Sequence, residues 1–369
     1  MREKLVTLPG VGETVDLRRI KKESRSGVMT SQAVLSFMYL QGVGVRKSER
    51  KAYKWMLKSA EQGNPPAMHS VSIFLRDGVG TKPDVQASLD WLNRAVDAGY
   101  HDSQLVLGNY HYTGTYVEKS LDRASELLGK SAEQGNPMAK MSLGMLKLFS
   151  DDDRHKDAES GLELLKEASD AGCMEASEVL STVYFTGSIA PENDFLGNKY
   201  IRKAAEQGSG VASLVYGGQL MYGSQYTQKD PARGFIFLNK AYDSGIKEAC
   251  SILGEAYLMG VGTDIDYDKA RGMFEKAIDN GSVTSMTNLG VMYMRGIGVD
   301  KDAPKAIGLL EKAYAGGSCA AACNLGAMYA AGEVVERDIA KSREWYLKAA
   351  EMNQIDVSKE LAGLEEESS

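Results

Sequence analysis

Small and large apolar residues recur along the chain at the three-and-four spacing of an amphipathic α-helix, and this pattern itself returns every 36 or 37 residues. A glycine marks each return. Because the left-handed backbone at a helix end costs free energy for residues with a side chain, glycine, and after it asparagine, is typical of that place. Each period is therefore predicted to end in a helix terminus. The markers are Gly27, Gly63, Gly99, Gly135, Gly172, Gly208, Gly245, Gly281 and Gly317, with Asn353 in the tenth place.

Three columns of side chains before each glycine predict one helix, here named helix B. In the nine periods that end from Gly63 to Asn353, the positions four and eleven residues before this marker hold only Gly, Ala or Ser, as at Ser59 and Ala52. The position eight residues before it holds a large apolar or aromatic residue, as at Trp55 and Leu164. These offsets differ by three and four, so the columns share one helix face. We expect the small columns to allow close helix approach and the large column to fill the gap.

The other half of each period predicts a second helix, here named helix A. In residues 253–262, Leu253 and Tyr257 lie one turn apart on one face, and the G-x-G of Gly260 and Gly262 ends the helix in a short loop. Each period is thus a helix-turn-helix hairpin. The sequence predicts an all-α fold, an α-α superhelix (solenoid) of about nine such repeats with terminal caps.

The repeated motifs resemble the Sel-one-like repeat (SLR) family, which is related to the tetratricopeptide repeats. The resemblance covers nine periods and rests on L-G-x-x-Y-x-x-G-x-G-V, K-A-x-x-W and K-A-A-E-Q-G. A tetratricopeptide array is the alternative, but its shorter period and its lack of the G-x-G loop disfavour it.

The periods and their ends predict three parts of the chain. Residues 1–27 are expected to form a half-repeat cap, with Gly10 to Gly12 as its loop and Leu17 and Ile20 on its helix, because a terminal repeat has no neighbour to cover it. Residues 28–353 form nine repeats of one solenoid, and residues 354–369 form a capping helix, Ile355 to Leu364, and an acidic tail.

Charge, cysteine content and hydropathy limit the classes of binding partner and the cellular compartment that we expect. With 43 Lys and Arg against 50 Asp and Glu, the chain carries a net charge of -7, which disfavours binding to nucleic acid. The four cysteines show no disulfide framework, which fits a reducing compartment. No apolar run is long enough to cross a membrane. We expect a cytoplasmic protein, or a periplasmic one if a leader was removed, that is monomeric on its own.

Few residues have the spacing that catalysis or metal binding requires. Cys319 and Cys323 lie one helical turn apart and could ligate a soft metal, but no second pair accompanies them, so core packing is favoured. The sequence therefore predicts no catalytic residue, no metal and no cofactor. The histidines fall in different repeats without a paired spacing, at His69, His101, His111 and His155.

The middle of the array is the predicted site of partner binding. By analogy with tetratricopeptide arrays, helix A lines a concave groove, through the residue after its Gly and the two residues after its Tyr. Repeats three to six carry most of the aromatic and Met residues there and depart most from the consensus of the chain itself. Ordinary core packing is the alternative for each side chain. The candidates are Asn109, Tyr112, Met145, Phe149, Phe185, Met221 and Tyr222.

These features favour a non-catalytic scaffold or adaptor that binds a partner protein or peptide in its groove, as the resemblance also implies. The alternative is an immunity or inhibitor protein that neutralises a toxin or secreted effector, a role that the resemblance implies for bacterial members. Its acidic charge would then match a basic toxin face. An enzyme is the least favoured class, since no set of residues has a catalytic spacing.

Overall fold

Helices make up 71% of the described chain, which comprises residues 5–7, 14–353 and 357–366 of a computed structural model. The predicted all-α solenoid fold class of repeated helix pairs is confirmed. Even-numbered helices from α2 to α18 are A helices, and odd-numbered helices from α3 to α19 are B helices. The helices are α1 (Leu17–Arg25), α2 (Met29–Gln41), α3 (Glu49–Glu61), α4 (Pro65–Asp77), α5 (Val85–Asp97), α6 (His101–Thr113), α7 (Leu121–Glu133), α8 (Pro137–Phe149), α9 (Ala158–Asp170), α10 (Met174–Thr186), α11 (Asp194–Gln207), α12 (Gly210–Tyr222), α13 (Pro231–Asp243), α14 (Ala249–Met259), α15 (Tyr267–Ile278), α16 (Val283–Arg295), α17 (Ala303–Ala315), α18 (Cys319–Ala331), α19 (Ile339–Asn353) and α20 (Ser358–Glu366).

The chain forms two compact units. Unit 1 comprises Met1–Leu180 and Gly187–Pro191, and unit 2 comprises Ser181–Thr186 and Glu192–Ser369. Helix α10 therefore contributes residues to both. Within each unit the A and B helices of a repeat pack as a hairpin.

The residue types at the two ends of helix B are determined by the backbone conformation after the helix and by the hydrogen bond that caps its start. The glycines after its end have φ between +78° at Gly99 and +109° at Gly208, as the marker glycines predict. At Gly63 an added Cβ would meet nothing within 4 Å, so the backbone conformation alone requires glycine there. At its start, the position fifteen residues before the glycine holds Ser, Asp or Asn in every repeat. Its side chain accepts a backbone N–H three residues on, as Asp84 does from Ala87 at 2.9 Å.

The small columns of helix B are buried in all nine repeats, as predicted. The large column is buried in three repeats, at Leu127, Tyr200 and Phe237, and half-buried in the other six, so it is not the main core column, which corrects the prediction. Trp55 and Leu164 in that column are only half-buried, whereas Leu165, one residue later, is fully buried. Leu165 fills the space left by the glycine of helix A, since a Cβ on Gly144 would lie 3.0 Å from its Cγ. Leu128, Leu238, Phe274 and Leu310 are fully buried at the same position in other repeats.

The repeated phrase at the end of helix B joins it to the start of helix A in its own repeat. Ser59 Oγ donates to the Met29 carbonyl at 2.7 Å, and Gln62 Nε2 donates to Gln32 Oε1 at 2.6 Å. Equivalent bonds link Ser131 and Gln134 to α6 in the third repeat. The phrase is therefore structural, because its polar groups satisfy one another across the hairpin.

Two short strands precede the first helix and were not predicted. β1 (Leu5–Thr7) and β2 (Thr14–Asp16) pair antiparallel, with Leu5 opposite Asp16. Three-residue strands are too short for an alternating pattern to reveal them. Val6 packs so closely on the first G-x-G loop that a Cβ on Gly44 would lie 2.9 Å from its Cγ2. The predicted loop, Gly10 to Gly12, lies outside the described residues.

Both ends of the chain bury apolar side chains of their terminal helices. Leu17 and Ile20 of α1 are buried against α2. At the other end, Leu364 of α20 packs on Tyr346. Helix α20 begins at Ser358, and Ile355, the predicted start of the closing helix, lies outside the described residues.

Candidate partner-binding surfaces

The last residue of helix A is exposed in each of the nine repeats. This is the second position after the helix A Tyr. Because the exposure holds whatever the residue type, it follows from the place of the residue at the helix end. The column consists of Gln41, Asp77, Thr113, Phe149, Thr186, Tyr222, Met259, Arg295 and Ala331.

The position just before it packs inward onto the small column of the following helix B. A Cβ on Gly234 would lie 3.0 Å from Met221 Cγ, and one on Gly197 would lie 2.6 Å from Phe185 Cδ1. Met221 is accordingly only 2% exposed. It is a core residue of unit 2, which corrects its prediction as a groove residue, while Phe185 is half-buried. Helical periodicity could not separate these neighbouring positions, because both border the same face.

In unit 1, the structure brings two of the predicted residues to one site. Tyr112 and Phe149 line a cavity of about 340 Å³ together with Lys119 and Asp151. Phe149 is 44% exposed, and Tyr112 is half-buried against the core of α7 and α8. We call this set the Tyr112–Phe149 surface.

The two other predicted residues of unit 1 do not line that cavity. Asn109 and Met145 are half-buried on α6 and α8. They occupy the first groove position of their repeats. The Tyr112–Phe149 surface therefore rests on the two positions that end helix A.

In unit 2, Tyr222 of α12 forms a hydrogen bond with the next A helix, α14. Its hydroxyl donates to Glu255 Oε2 at 3.0 Å, and Asn288 Nδ2 donates to Glu255 Oε1 at 3.2 Å. Burial of the hydroxyl, followed by the charge of Glu255, raises the pKa of Tyr222 to about 12. Tyr222 as a whole remains 59% exposed, so its apolar surface is available while its hydroxyl is satisfied.

A polar cluster in unit 1 has residue types that also occur in hydrolases. His69 Nδ1 lies 2.9 Å from Ser103 Oγ, and the His69 and Tyr100 rings are 5.5 Å apart. Ser103 is fully buried, which keeps its hydroxyl from a substrate. Asp102 accepts from Tyr100 and Asn136 instead of orienting the histidine. The cluster therefore has a structural role. In the sequence, only the 34-residue separation of His69 and Ser103 could have indicated it.

The remaining candidate ligands do not converge. Among the described residues, no group of three or more His, Cys, Asp or Glu side chains is arranged to hold a metal ion. His111 Nδ1 lies 3.0 Å from the Glu118 carbonyl oxygen, and His155 Nε2 lies 3.1 Å from Asp122 Oδ1. Burial raises the pKa of the Cys323 thiol, which disfavours the thiolate. No helix in the described chain is long and apolar enough to cross a membrane.

Stacked helical hairpins with exposed helix ends define the chain as a helical-repeat protein. The Sel1 repeat family model matches nine segments, which together span nearly all of the chain, and the chain therefore belongs to this family. The predicted family is confirmed. The segments are residues 30–64, 65–100, 101–136, 137–173, 177–209, 215–246, 247–282, 283–318 and 319–354.

Two fungal relatives are named as regulators. The chain is 25% identical over 266 residues to chitin synthase regulator SKT5 of Saccharomyces cerevisiae, which covers 69% of the chain and 38% of that relative. It is 23% identical over 245 residues to chitin synthase regulatory factor 3 of Schizosaccharomyces pombe, which covers 63% of the chain and 26% of that relative. The chain thus spans well under half of either relative.

A solved structure shares the fold. It is a protective antigen of uropathogenic Escherichia coli that displays an SLR fold, and it matches 91% of the chain and 71% of its own length with a TM-score of 0.60 and 25% identity. The agreement extends to the repeat architecture.

Proposed function

We propose that the chain is a non-catalytic scaffold that binds a partner protein through the exposed ends of its A helices. The observation that carries the proposal is the outward column of nine helix-end residues, in which Phe149 and Tyr222 expose aromatic rings. The names of the fungal relatives support a regulatory role without catalysis. The identity of the partner does not follow from them, since the chain spans only part of each.

The Tyr112–Phe149 surface is the proposed anchor in unit 1. Aromatic residues beside a small cavity, with charged residues at its rim, are typical of the hot spots of protein interfaces. Complete burial of the Phe149 ring by a partner would contribute about 1.5 to 3 kcal/mol, less the part already buried. Lys119 and Asp151 at the same cavity supply charges of both signs, which favours a specific orientation.

Crosslinking in cells that naturally contain the protein, followed by affinity capture and mass spectrometry, tests the proposal. A Phe149→Lys variant and a Tyr112→Ala/Phe149→Ala variant are compared with the wild type. The control is Ile236→Ala/Leu347→Ala, which removes two exposed apolar side chains of the B helices α13 and α19. We expect one protein to be recovered with the wild type and the control and to be lost with both other variants.

Recovery of the same protein with all variants would contradict the proposed surface. Phe149→Lys changes an exposed residue, so circular dichroism should show a folded protein and the loss cannot be assigned to unfolding. If the captured protein is a toxin whose activity falls when the chain is added, the inhibitor hypothesis gains support over the adaptor hypothesis.

A further inference from the structure

One cavity of unit 2 is lined by charged and aromatic residues. It has a volume of about 780 Å³ and lies between α11 and α13, beside the loop that follows α12. It is thus formed by two B helices, by α12 at its inner wall and by the loop after α12, and none of the nine helix-end residues lines it. Clefts of this size are typical of ligand-binding sites.

The loop explains why the cavity is open. Two of the A–B loops have eight residues where the others have seven, namely residues 150–157 and 223–230. In the first, His155 has only 12% of its side chain exposed and lies beside Asp122 of α7, which brings the loop against the helix. The equivalent positions of the second loop and its helix hold Gln228 and Phe195. The contact between histidine and aspartate is therefore absent there, and the space stays unfilled.

The charge of the cavity is opposite to that of the chain. Lys199, Arg202, Lys229 and Arg233 line it, against a single lining carboxylate, Asp230. Asp230 accepts the Arg233 backbone N–H at 3.1 Å as the N-cap of α13, so that carboxylate is already engaged. The net charge of the whole chain is -7, which makes this concentration of cations a local reversal.

Two of the cations are available for a ligand. Arg233 pairs with Glu206 at 3.0 Å. By contrast, neither Arg202 nor Lys229 forms an ion pair with a carboxylate of the described residues, and both are exposed. An acidic ligand would provide the partners that they lack.

The apolar part of the lining selects among anions. Phe195 is 65% exposed and Tyr226 is 41% exposed, while Leu220 and Tyr216 at the inner wall are buried. A free phosphate ion uses none of this apolar surface. Nucleic acid would bring many further phosphates toward an acidic protein, at an electrostatic cost. An acidic peptide with an aromatic side chain uses both the cations and the rings.

We propose that the cavity between α11 and α13 binds an acidic segment of a partner protein, with its carboxylates on Arg202 and Lys229 and an apolar side chain against Phe195 and Tyr226. This interaction surface is additional to the helix A ends. Its residues are different from those of the Tyr112–Phe149 surface, so either proposal can fail without the other.

Fluorescence anisotropy with the labelled peptide Asp-Glu-Asp-Phe-Glu-Asp tests the proposal on the full chain. We expect saturable binding that weakens as the ionic strength rises, because the contacts are charged and partly exposed. Arg202→Glu/Lys229→Glu should weaken binding by at least about tenfold. Phe195→Ala should weaken it by about threefold or more, since it removes an aromatic contact.

Control variants and competing ligands show which results would support the proposal and which would contradict it. Lys301→Glu/Lys305→Glu makes the same charge change at a second cavity of unit 2, and Ile236→Ala removes an exposed apolar residue outside both cavities. Both should bind like the wild type. Equal binding by the wild type and Arg202→Glu/Lys229→Glu would overturn the proposal. So would displacement of the peptide by equimolar inorganic phosphate, or tighter binding of a single-stranded oligonucleotide.

Discussion

Glycines with the same left-handed backbone serve two different purposes in this chain. Gly63 after helix B has open space around its Cα. Gly80, the second glycine of the G-x-G loop, has φ +70° and also lies directly on the Glu49 carbonyl, which an added Cβ would overlap. In the third repeat Tyr116 occupies the Gly80 position with φ +63°, so the backbone conformation alone is tolerated there. Close approach is therefore the stricter requirement.

Gly80→Ala should lower the free energy of unfolding by roughly 2 to 4 kcal/mol, through backbone strain and overlap with Glu49. The control is Gly129→Ala in α7, where a Cβ would meet nothing within 4 Å and the helix gains about 0.5 to 1 kcal/mol. Urea unfolding followed by circular dichroism measures both. A Gly80→Ala midpoint at or above that of the wild type would contradict the close approach.

His69 links stability to pH. Burial lowers the pKa of His69, so the folded protein holds the histidine neutral more strongly than the unfolded chain does. A depressed folded pKa gives stability that is complete above the unfolded value, about 6.5, and is lost as the pH falls through the folded value.

His69→Gln should therefore flatten the fall in stability on acidification below about pH 6.5. Glutamine keeps a polar group near Ser103 but does not titrate. Thermal unfolding over a pH series measures the effect, with His111→Gln as the control variant that keeps His69 in place. An unchanged pH profile in His69→Gln would contradict the role of burial.

At the scale of the helix, Leu164 belongs to the predicted core column and its neighbour Leu165 to the observed one. Leu165→Ala should cost about 2 to 5 kcal/mol, because it leaves a cavity against Gly144. Leu164→Ala should cost about 1 kcal/mol, since that side chain is half-buried. Urea unfolding of the two variants measures both losses of stability. Equal losses of free energy of unfolding would contradict the assignment of Leu165 to the core.

The helix pattern and its ends could be predicted because they depend on neighbours in sequence. The marker glycines, the small columns and the hairpin followed from spacing alone. The choice between Leu164 and Leu165 did not, because adjacent residues on a helix differ by only 100° and the facing glycine comes from another helix. The same limit placed Met221 on the predicted surface although it packs on Gly234.

At the scale of the whole molecule, each repeat is stabilised mainly by the repeats beside it. Leu165→Ala should consequently lower hydrogen-exchange protection most in α8 and α9, while helices α15 to α18 keep their protection. Exchange followed by mass spectrometry gives the comparison, with Leu164→Ala as the matched variant. A uniform loss over all helices would instead indicate that the whole chain unfolds as a single cooperative unit.

The candidate surfaces were predictable only in part. Departure from the internal consensus pointed to the middle repeats, where Tyr112 and Phe149 line one cavity and Tyr222 is exposed; their part in binding stays a prediction. The cavity between α11 and α13 lies in the same repeats, but the sequence did not indicate its basic character, because its lysines and arginines are spread over two helices and a loop. In the sequence they look like ordinary charges of solvated helix faces.

The sequence by itself determined the period, the two helices of each repeat, their ends and the Sel1 family, because all of these arise from local backbone preferences repeated nine times. The tertiary structure decided which of two neighbouring residues enters the core and which aromatic rings stay outside. It also brought four basic side chains of an acidic chain around a cavity of unit 2. Those outcomes depend on distances between helices, which the spacing along a single helix does not contain.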